Sequence, residues 1–358
     1  MCHIGILADD LTGALDAAAP FASPALPVTV VWGAAEASGN FAIDSESRQL
    51  PPAEAVGRVM ASLPRLAGRD IAFKKIDSLM RGNTVPEVVA CCAAGRFASI
   101  VIAPAFPGQG RIMRGGRQLL RDETGAWRPL AADLGASLIC AGFPAMKLPR
   151  GKSPAGRGIF ICDSETDEDL RQVSAAGIEG PVLWCGTAGL AHALASPRDG
   201  RRFTTRHPAL IVVGSRHPVS LRQVARLEAD RTGVIMIDDA ESLAAPVAAV
   251  GARLAAGTDA ALVFALPPLS ADNAQSAYRA VFARLAELPA PGTLVIVGGD
   301  TLFRLCAALG ASRLGAVGAW SPGIAVSRFA DGAWRGADIV SRSGAFGADD
   351  LLTRFLRN

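Results

Sequence analysis

The stretch Ile71-Ala72-Phe73-Lys74-Lys75-Ile76-Asp77-Ser78-Leu79-Met80-Arg81-Gly82 decides how this chain is read. Its first three residues are an apolar run that reads as a short buried strand. The nine that follow carry four charges, three of them cationic. A strand that delivers so much charge at its carboxyl end is poorly explained as core and well explained as the rim of a pocket for a small anion. Successive strand residues face opposite sides, so Lys74 and Lys75 cannot both enter one apolar core. The spacing predicts one of them solvated and the other, with Arg81, available to an anion. Asp77 is left to handle a proton or a metal, or simply to pair with these cations.

Outward from that stretch, strand-length apolar runs alternate with helical patterns. Ile4 to Ala8 precedes a helical pattern from Ala14 to Ala22, followed by Val28 to Trp32 and Phe41 to Ile43. Pro52 to Leu63 reads as a helix with proline in its first turn. A helical pattern from Pro86 to Ala94 leads to the run Ile100 to Ala103. Residues 104–158, rich in Gly, Pro and Arg, predict loops and irregular strands. The alternation resumes with Gly158 to Cys162, a helix from about Glu165, Val182 to Cys185 and a helix from about Ala188. Such alternation predicts βαβ units around a largely parallel sheet. Ser196 to Arg202 is polar and breaker-rich, as an interdomain linker should be. A second series follows with Ala209 to Val213, Val234 to Ile237, Ala261 to Phe264 and Leu294 to Val297. The expected fold class is therefore α/β, with two α/β domains, 1–200 and 201–358, each with a largely parallel sheet. In such sheets ligands gather beyond the carboxyl ends of the strands.

Bulk composition narrows the function. At 358 residues, half of them apolar and 19% charged, the chain is globular and long enough for two cores. A net charge of +3, from 36 basic and 33 acidic residues without a basic run, argues against nucleic acid or an anionic membrane surface as partner. One tyrosine makes a poor base-stacking platform. Seven scattered cysteines with no C-x-x-C pair suggest reduced thiols, and four distant histidines show no zinc spacing, so no protein-borne metal site is expected. No apolar run reaches the ~18 residues of a membrane span, and no export signal is evident, so a cytoplasmic location is expected.

Several strand ends carry further polar loops. Ala8-Asp9-Asp10-Leu11-Thr12-Gly13 places two acids where they could meet a hydroxyl, a proton or Mg²⁺, although Asp10 or Thr12 could equally cap the next helix. Arg48, in Asp44-Ser45-Glu46-Ser47-Arg48, could fork onto a carboxylate or lie at the surface. Pro104 to Arg111 adds a rigid Pro/Gly turn and another cation. In the C-terminal half, Gly214-Ser215-Arg216-His217-Pro218, Gly298-Gly299-Asp300-Thr301 and Ser341-Arg342-Ser343-Gly344 are glycine-centred turns. Strand-to-helix turns of this kind can present amides to phosphate oxygens, and three in one domain favour nucleotide binding. There is no G-x-G-x-x-G after an early strand; Gly151-Lys152-Ser153 follows Met146 where a Walker A loop needs Gly; and no G-x-S-x-G elbow occurs.

Taken together, ADDLTGALDAAAPFA, IDSESR, KKIDSLMRGN, APAFPGQGR, CDSETDEDL, WCGTAGLAHALA, GSRHPVS, GGDT and RSGAFG resemble, in order, the four-carbon acid sugar kinase family of threonate, erythronate and 3-oxo-tetronate kinases. The resemblance runs from Ile4 to about Leu352, and residues 121–158 look shorter than in the family. It implies an N-terminal sugar-acid-binding domain, a C-terminal ATP-binding domain and chemistry in an active-site cleft between them. It implies Asp9, Arg48, Asp77, Ser78 and Arg81 on the substrate side, with Lys75 or Lys74 assisting. On the nucleotide side it implies Ser215, Gly298, Gly299, Asp300, Thr301 and Gly344. Arg48 and Arg81 would hold the carboxylate of the acid, and Asp77 or Asp9 would accept a proton from its terminal hydroxyl. ATP, with Mg²⁺ carried by the nucleotide, and a small sugar acid are the implied partners; self-association into a homo-oligomer is left open. The rival readings are a non-catalytic sugar-acid-binding or sensing protein of the same fold, and a nicotinamide-dependent dehydrogenase, which lacks its fingerprint here.

Overall fold

The five apolar residues Ile4–Ala8 form β1 and all five are buried, as a parallel strand covered on both faces requires. In this computed structural model, residues 2–130, 133–195, 203–230, 233–239, 243–265 and 271–357 are described. The stretch 196–202, expected to be a linker, lies outside the described residues. The chain divides into two compact units, residues 1–198 and 199–358.

In the N-terminal unit, α1 (Leu11–Ala18), β2 (Val28–Trp32), β3 (Phe41–Asp44), α2 (Pro52–Ser62) and β4 (Ile71–Lys75) follow β1. Next come α3 (Thr84–Ala93), β5 (Ser99–Ala103), the short strands β6 (Arg111–Arg114), β7 (Arg117–Arg121) and β8 (Trp127–Pro129), and α4 (Leu134–Cys140). The unit ends with β9 (Ala145–Leu148), β10 (Gly158–Cys162), α5 (Asp167–Ser174), β11 (Val182–Gly186) and α6 (Ala188–Leu194). Its main strands lie in the order β2-β3-β1-β4-β11-β5-β10-β9, every pair parallel. From β1 the chain moves to β2 on one side, and from β4 to β5 on the other. The β1/β4 junction is therefore a topological switch point, where the connections diverge and leave room for a ligand.

The irregular segment after Pro104 is more ordered than its composition predicts. β6, β7 and β8 form a small antiparallel sheet, and α4 and β9 were not legible. Helix ends also differ from the sequence reading. Helix α3 starts at Thr84 and not at Pro86, because a proline within the first turn has no helical N–H to lose. Helix α1 runs from Leu11, and Asp10 is its cap.

The C-terminal unit contains β12 (Ala209–Val213), α7 (Pro218–Ala229), β13 (Val234–Ile237), α8 (Ala244–Ala255), β14 (Ala260–Phe264), α9 (Ala271–Ala286), β15 (Thr293–Val297) and α10 (Gly299–Ala308). It closes with β16 (Arg313–Ser321), β17 (Ile324–Phe329), β18 (Asp338–Arg342) and α11 (Leu351–Leu356). The strand order is β13-β14-β12-β15-β18-β17-β16, parallel except for the β16-β17-β18 meander. The β12/β15 junction is a second switch point of the same kind. A core of Ile211, Val213, Val263, Val295, Val297, Val340 and Phe355 holds the sheet to its helices.

Candidate active site

Three loops meet at the β1/β4 switch point. The loop after β3 is tied back to β1: Ser45 N–H donates to the Ala8 carbonyl at 2.9 Å, and Arg48 N–H to that of Asp9 at 3.2 Å. The loop after β4 presses on it so closely that a Cβ at Gly82 (φ 70°) would lie 2.8 Å from the Arg48 carbonyl, so glycine is required there. Asn83 Nδ2 seals the join by donating to the carbonyls of Ser47 and Leu50 at 3.0 and 2.8 Å.

Arg48 is the hub. Nε and Nη2 donate to the two oxygens of Asp9, both at 2.8 Å; Nη1 donates to Asp10 Oδ2 at 2.5 Å, and Nη2 lies 3.5 Å from Asp77 Oδ1. The fork expected to grip a ligand carboxylate is thus closed on the protein's own acids. Asp10 Oδ1 also accepts from Gly13 N–H at 2.8 Å, so this residue both caps α1 and pairs with Arg48. Asp77 organises its own loop. Its Oδ2 accepts from Leu79 N–H at 3.0 Å and from Arg81 N–H and Nε at 3.1 and 3.0 Å, while Oδ1 accepts from Arg81 Nη2 at 2.8 Å. Met80, at φ 58°, takes the left-handed turn that closes this wrap.

Both lysines are buried, 1% and 5% exposed, which corrects the expectation that one is solvated. Lys74 pairs with Glu87 Oε2 at 2.7 Å, and Ser47 Oγ donates to the other Glu87 oxygen at 2.5 Å. Burial opposes the Lys74 charge, but Glu87 and Asp9 outweigh it and raise its pKa. Lys75 Nζ donates to the Ile76 carbonyl at 2.7 Å. Its field acts on Asp9, Asp10 and Asp77. Among the described residues no other hydrogen-bond partner takes its Nζ, which leaves two of its three N–H donors for a ligand. Arg81 is half exposed and uses Nε and Nη2 on Asp77.

The carboxylates divide electrostatically. Burial would raise Asp9, but Arg48 and the two lysines overcome it and hold the acid below its ordinary value. Burial likewise opposes Asp77, and Arg81 and Arg48 overcome it, so Asp77 is firmly ionised. Asp10 is pushed up by burial and by its neighbour Asp9, against Arg48. Asp44, at the end of β3, is pushed well up by burial. One pattern of charge results: ionised Asp9 and Asp77 beside Lys75 and Arg81, at the carboxyl ends of β1 and β4.

Ser78 is half-buried, and its carbonyl accepts from Gln118 Nε2 at 2.9 Å, as does the Pro104 carbonyl. Sequence reasoning missed Gln118, which has no local signal, and Glu87, which the demand of a buried lysine for a counter-ion could have found.

At the β12/β15 switch point the glycine turns converge. A Cβ at Gly214 would lie 2.0 Å from Thr301 Oγ1, one at Gly298 (φ 117°) 2.9 Å from the same atom, and one at Gly344 1.8 Å from Ser215 Oγ. Ser220 Oγ donates to the Gly344 carbonyl at 2.7 Å. Gly299, Asp300 and Thr301 open α10, whose first N–H groups have no partner within the helix. Helix α7 offers less than its sequence implied, because Pro218 has no N–H and Val219 N–H is held by His217 Nδ1 at 3.3 Å. Tyr278, not singled out from sequence, stacks on Phe264 (4.3 Å, 18°) and reaches the Gly214 carbonyl at 3.4 Å.

The family models described as "Sugar-binding N-terminal domain" and "Nucleotide-binding C-terminal domain" match residues 4–150 and 210–352. A D-threonate kinase from Bordetella bronchiseptica is 30% identical over 98% of this chain and 96% of its own length. The chain belongs to the four-carbon acid sugar kinase family. A D-threonate kinase from Cupriavidus necator is 33% identical, with 64% of each chain covered, and a 3-oxo-tetronate kinase from the same organism is 28% identical over 99% of this chain and 96% of the relative. Among solved structures, one from Salmonella typhimurium LT2 superposes with a TM-score of 0.73 at 18% identity, covering 99% of this chain and 98% of that one. A Haemophilus influenzae protein gives 0.68 at 18% identity, covering 99% of both chains. These two show the shared fold. Membership makes the chain a phosphotransferase of this family.

Proposed function

We propose that the protein transfers the γ-phosphoryl group of ATP to the terminal hydroxyl of a four-carbon sugar acid. The observation that carries this reading is the pair of ionised carboxylates, Asp9 and Asp77, held with Lys75 and Arg81 at the β1/β4 switch point. Such a site can accept a proton from a hydroxyl while holding a small anion. Lys75, with its open donors, and the half-exposed Arg81 are the groups for the substrate carboxylate. Arg48, engaged by Asp9 and Asp10, orients the acids.

Asp9 is the better proton acceptor. Each of its oxygens takes one hydrogen bond, from Arg48, whereas Oδ2 of Asp77 already takes three. A carboxylate has about four acceptor positions, so Asp9 keeps room for a hydroxyl and Asp77 keeps little. In the C-terminal unit, the close glycines let backbone approach phosphate oxygens, and the α10 amides and the Ser215 and Thr301 hydroxyls supply donors. Exposed Asp300 and these hydroxyls are hard oxygen ligands that suit a Mg²⁺ carried by the nucleotide, which keeps several of its waters. When bound, that ion neutralises phosphate charge.

ADP release measured with Mg-ATP across D- and L-threonate, D- and L-erythronate and their 3-oxo forms tests the reading. Release that depends on one of these acids is expected. Tight acid binding with no release under any of them would instead favour the sensing protein.

A further inference from the structure

Arg342, the last residue of β18, is 1% exposed, and among the described residues no carboxylate pairs with it. All its partners are neutral. Nη1 donates to the carbonyls of Ser343 and Phe346 at 3.0 and 2.7 Å, and Nη2 donates to Gln223 Oε1. Nε is buried with no hydrogen-bond partner among the described residues. Burial acts on the guanidinium unopposed and lowers its pKa to about 10, so it stays charged at neutral pH. An ion buried in this way typically costs several kcal/mol unless something balances its charge.

Its surroundings indicate what balances it. Gln223, from α7, donates through Nε2 to the carbonyls of Phe346 and Ala348 at 3.2 and 2.8 Å, which fixes the amide with its oxygen towards Arg342. Arg342 and Gln223 together therefore hold the carbonyls of residues 343, 346 and 348. The turn they hold presses Gly344 against Ser215. The Arg342 carbonyl also accepts from Gly298 N–H at 3.0 Å. The guanidinium thus lies behind the Gly344 turn and is bonded to it, while the backbone of the same residue is bonded to the Gly298 turn.

We infer that Arg342 is a positioning residue for a nucleoside triphosphate: its unpaired buried charge is balanced by the polyphosphate bound at the Gly298 and Gly344 turns, and its hydrogen bonds set the Gly344 turn that receives it. The inference rests on the reading of the C-terminal unit as the nucleotide site. The guanidinium touches carbonyls and not the ligand; its field reaches the phosphates through a poorly screened interior.

The test is calorimetric titration of ATP, ADP and AMP into the full-length wild type, Arg342→Met and Arg342→Lys. A charge-balancing role predicts that Arg342→Met weakens ATP by about tenfold or more, ADP by less and AMP least, so that discrimination between ATP and AMP collapses. Arg342→Lys, which keeps the charge and loses part of the carbonyl grip, keeps that discrimination even if all three ligands bind more weakly. A purely structural role predicts equal loss for the three ligands in Arg342→Met. Equal loss, or no loss, overturns the inference, and should the Met variant not fold, loss of discrimination in the Lys variant does so. Wild type that binds no nucleotide overturns the underlying site reading instead.

Discussion

At the scale of the residue, the decisive feature is how each carboxylate at the β1/β4 junction is occupied. Among the described residues Asp9 takes its side-chain hydrogen bonds from Arg48, and Asp77 takes its own from its loop and Arg81. Asp9→Asn should therefore lower kcat by about 10²–10⁴-fold, the usual contribution of a general base, with the KM for ATP little changed. Asp77→Asn should act mainly by loosening Arg81 and raise the KM for the acid. Steady-state kinetics on both variants separate the roles; a kcat loss confined to Asp77→Asn would exchange them. Asp44 supplies a stability prediction. Its folded pKa lies above the unfolded value of 3.8 because it is buried, so it favours folding at low pH and disfavours it progressively as pH rises past 3.8. Asp44→Asn keeps the acceptor for Glu46 N–H and removes that penalty, so Tm at pH 7 should rise. A lower Tm would show that the ionised form is the stabilising one. The charged residues here were legible because charge at a strand end has no core role. Their partners were not: Arg48 reaches acids 38 and 39 positions away, and Lys74 finds Glu87 on a helix whose pattern reads as ordinary.

Among the elements, the strand-to-helix turns are set by contact distance. Gly344→Ala would place a Cβ 1.8 Å from Ser215 Oγ, far inside van der Waals contact, so the turn must shift away from Ser215. We expect this variant to lose nucleotide affinity by an order of magnitude or more while the KM for the acid stays near wild type; calorimetry and kinetics check it, and unchanged affinity would remove Gly344 from the site. Helix α6 carries a pH dependence. Burial lowers His192 from 6.5 to about 4, and its Nε2 has no hydrogen-bond partner among the described residues. The unfolded chain therefore takes up a proton below pH 6.5 that the folded chain refuses until about pH 4, and stability falls as pH drops across that window. Urea melts of His192→Leu should show a shallower fall between these limits; an unchanged slope would place the titrating group elsewhere. The parallel strands were legible as continuous apolar runs, since burial on both faces leaves no alternation to misread. The first strand of the meander, β16, was not, because Gly315, Ala316, Gly318 and Ala319 dilute its apolar signal. The hairpin β6–β7 escaped for a different reason, with arginine at both ends of each strand.

For the whole molecule, the two units repeat one wiring. Strands run β2-β3-β1-β4 in the first and β13-β14-β12-β15 in the second, each with its diverging connections at the junction of its first and fourth strands. That repetition explains why polar loops far apart in sequence fall at equivalent places, acids and cations in one unit and glycine turns in the other. The α/β class and the carboxyl-end location of the candidate sites follow from periodicity and from strand ends. The strand order does not, because it depends on which side of the sheet each helix crosses, and a run such as Val28–Trp32 carries no record of its neighbours. The most direct measurement is ³¹P NMR of a reaction containing Mg-ATP and the four-carbon acid that gives the highest ADP release. A new phosphomonoester resonance on the acid, growing in step with ADP, is the predicted result. ADP growing with inorganic phosphate alone, or no turnover in protein that binds both ligands, would contradict the account.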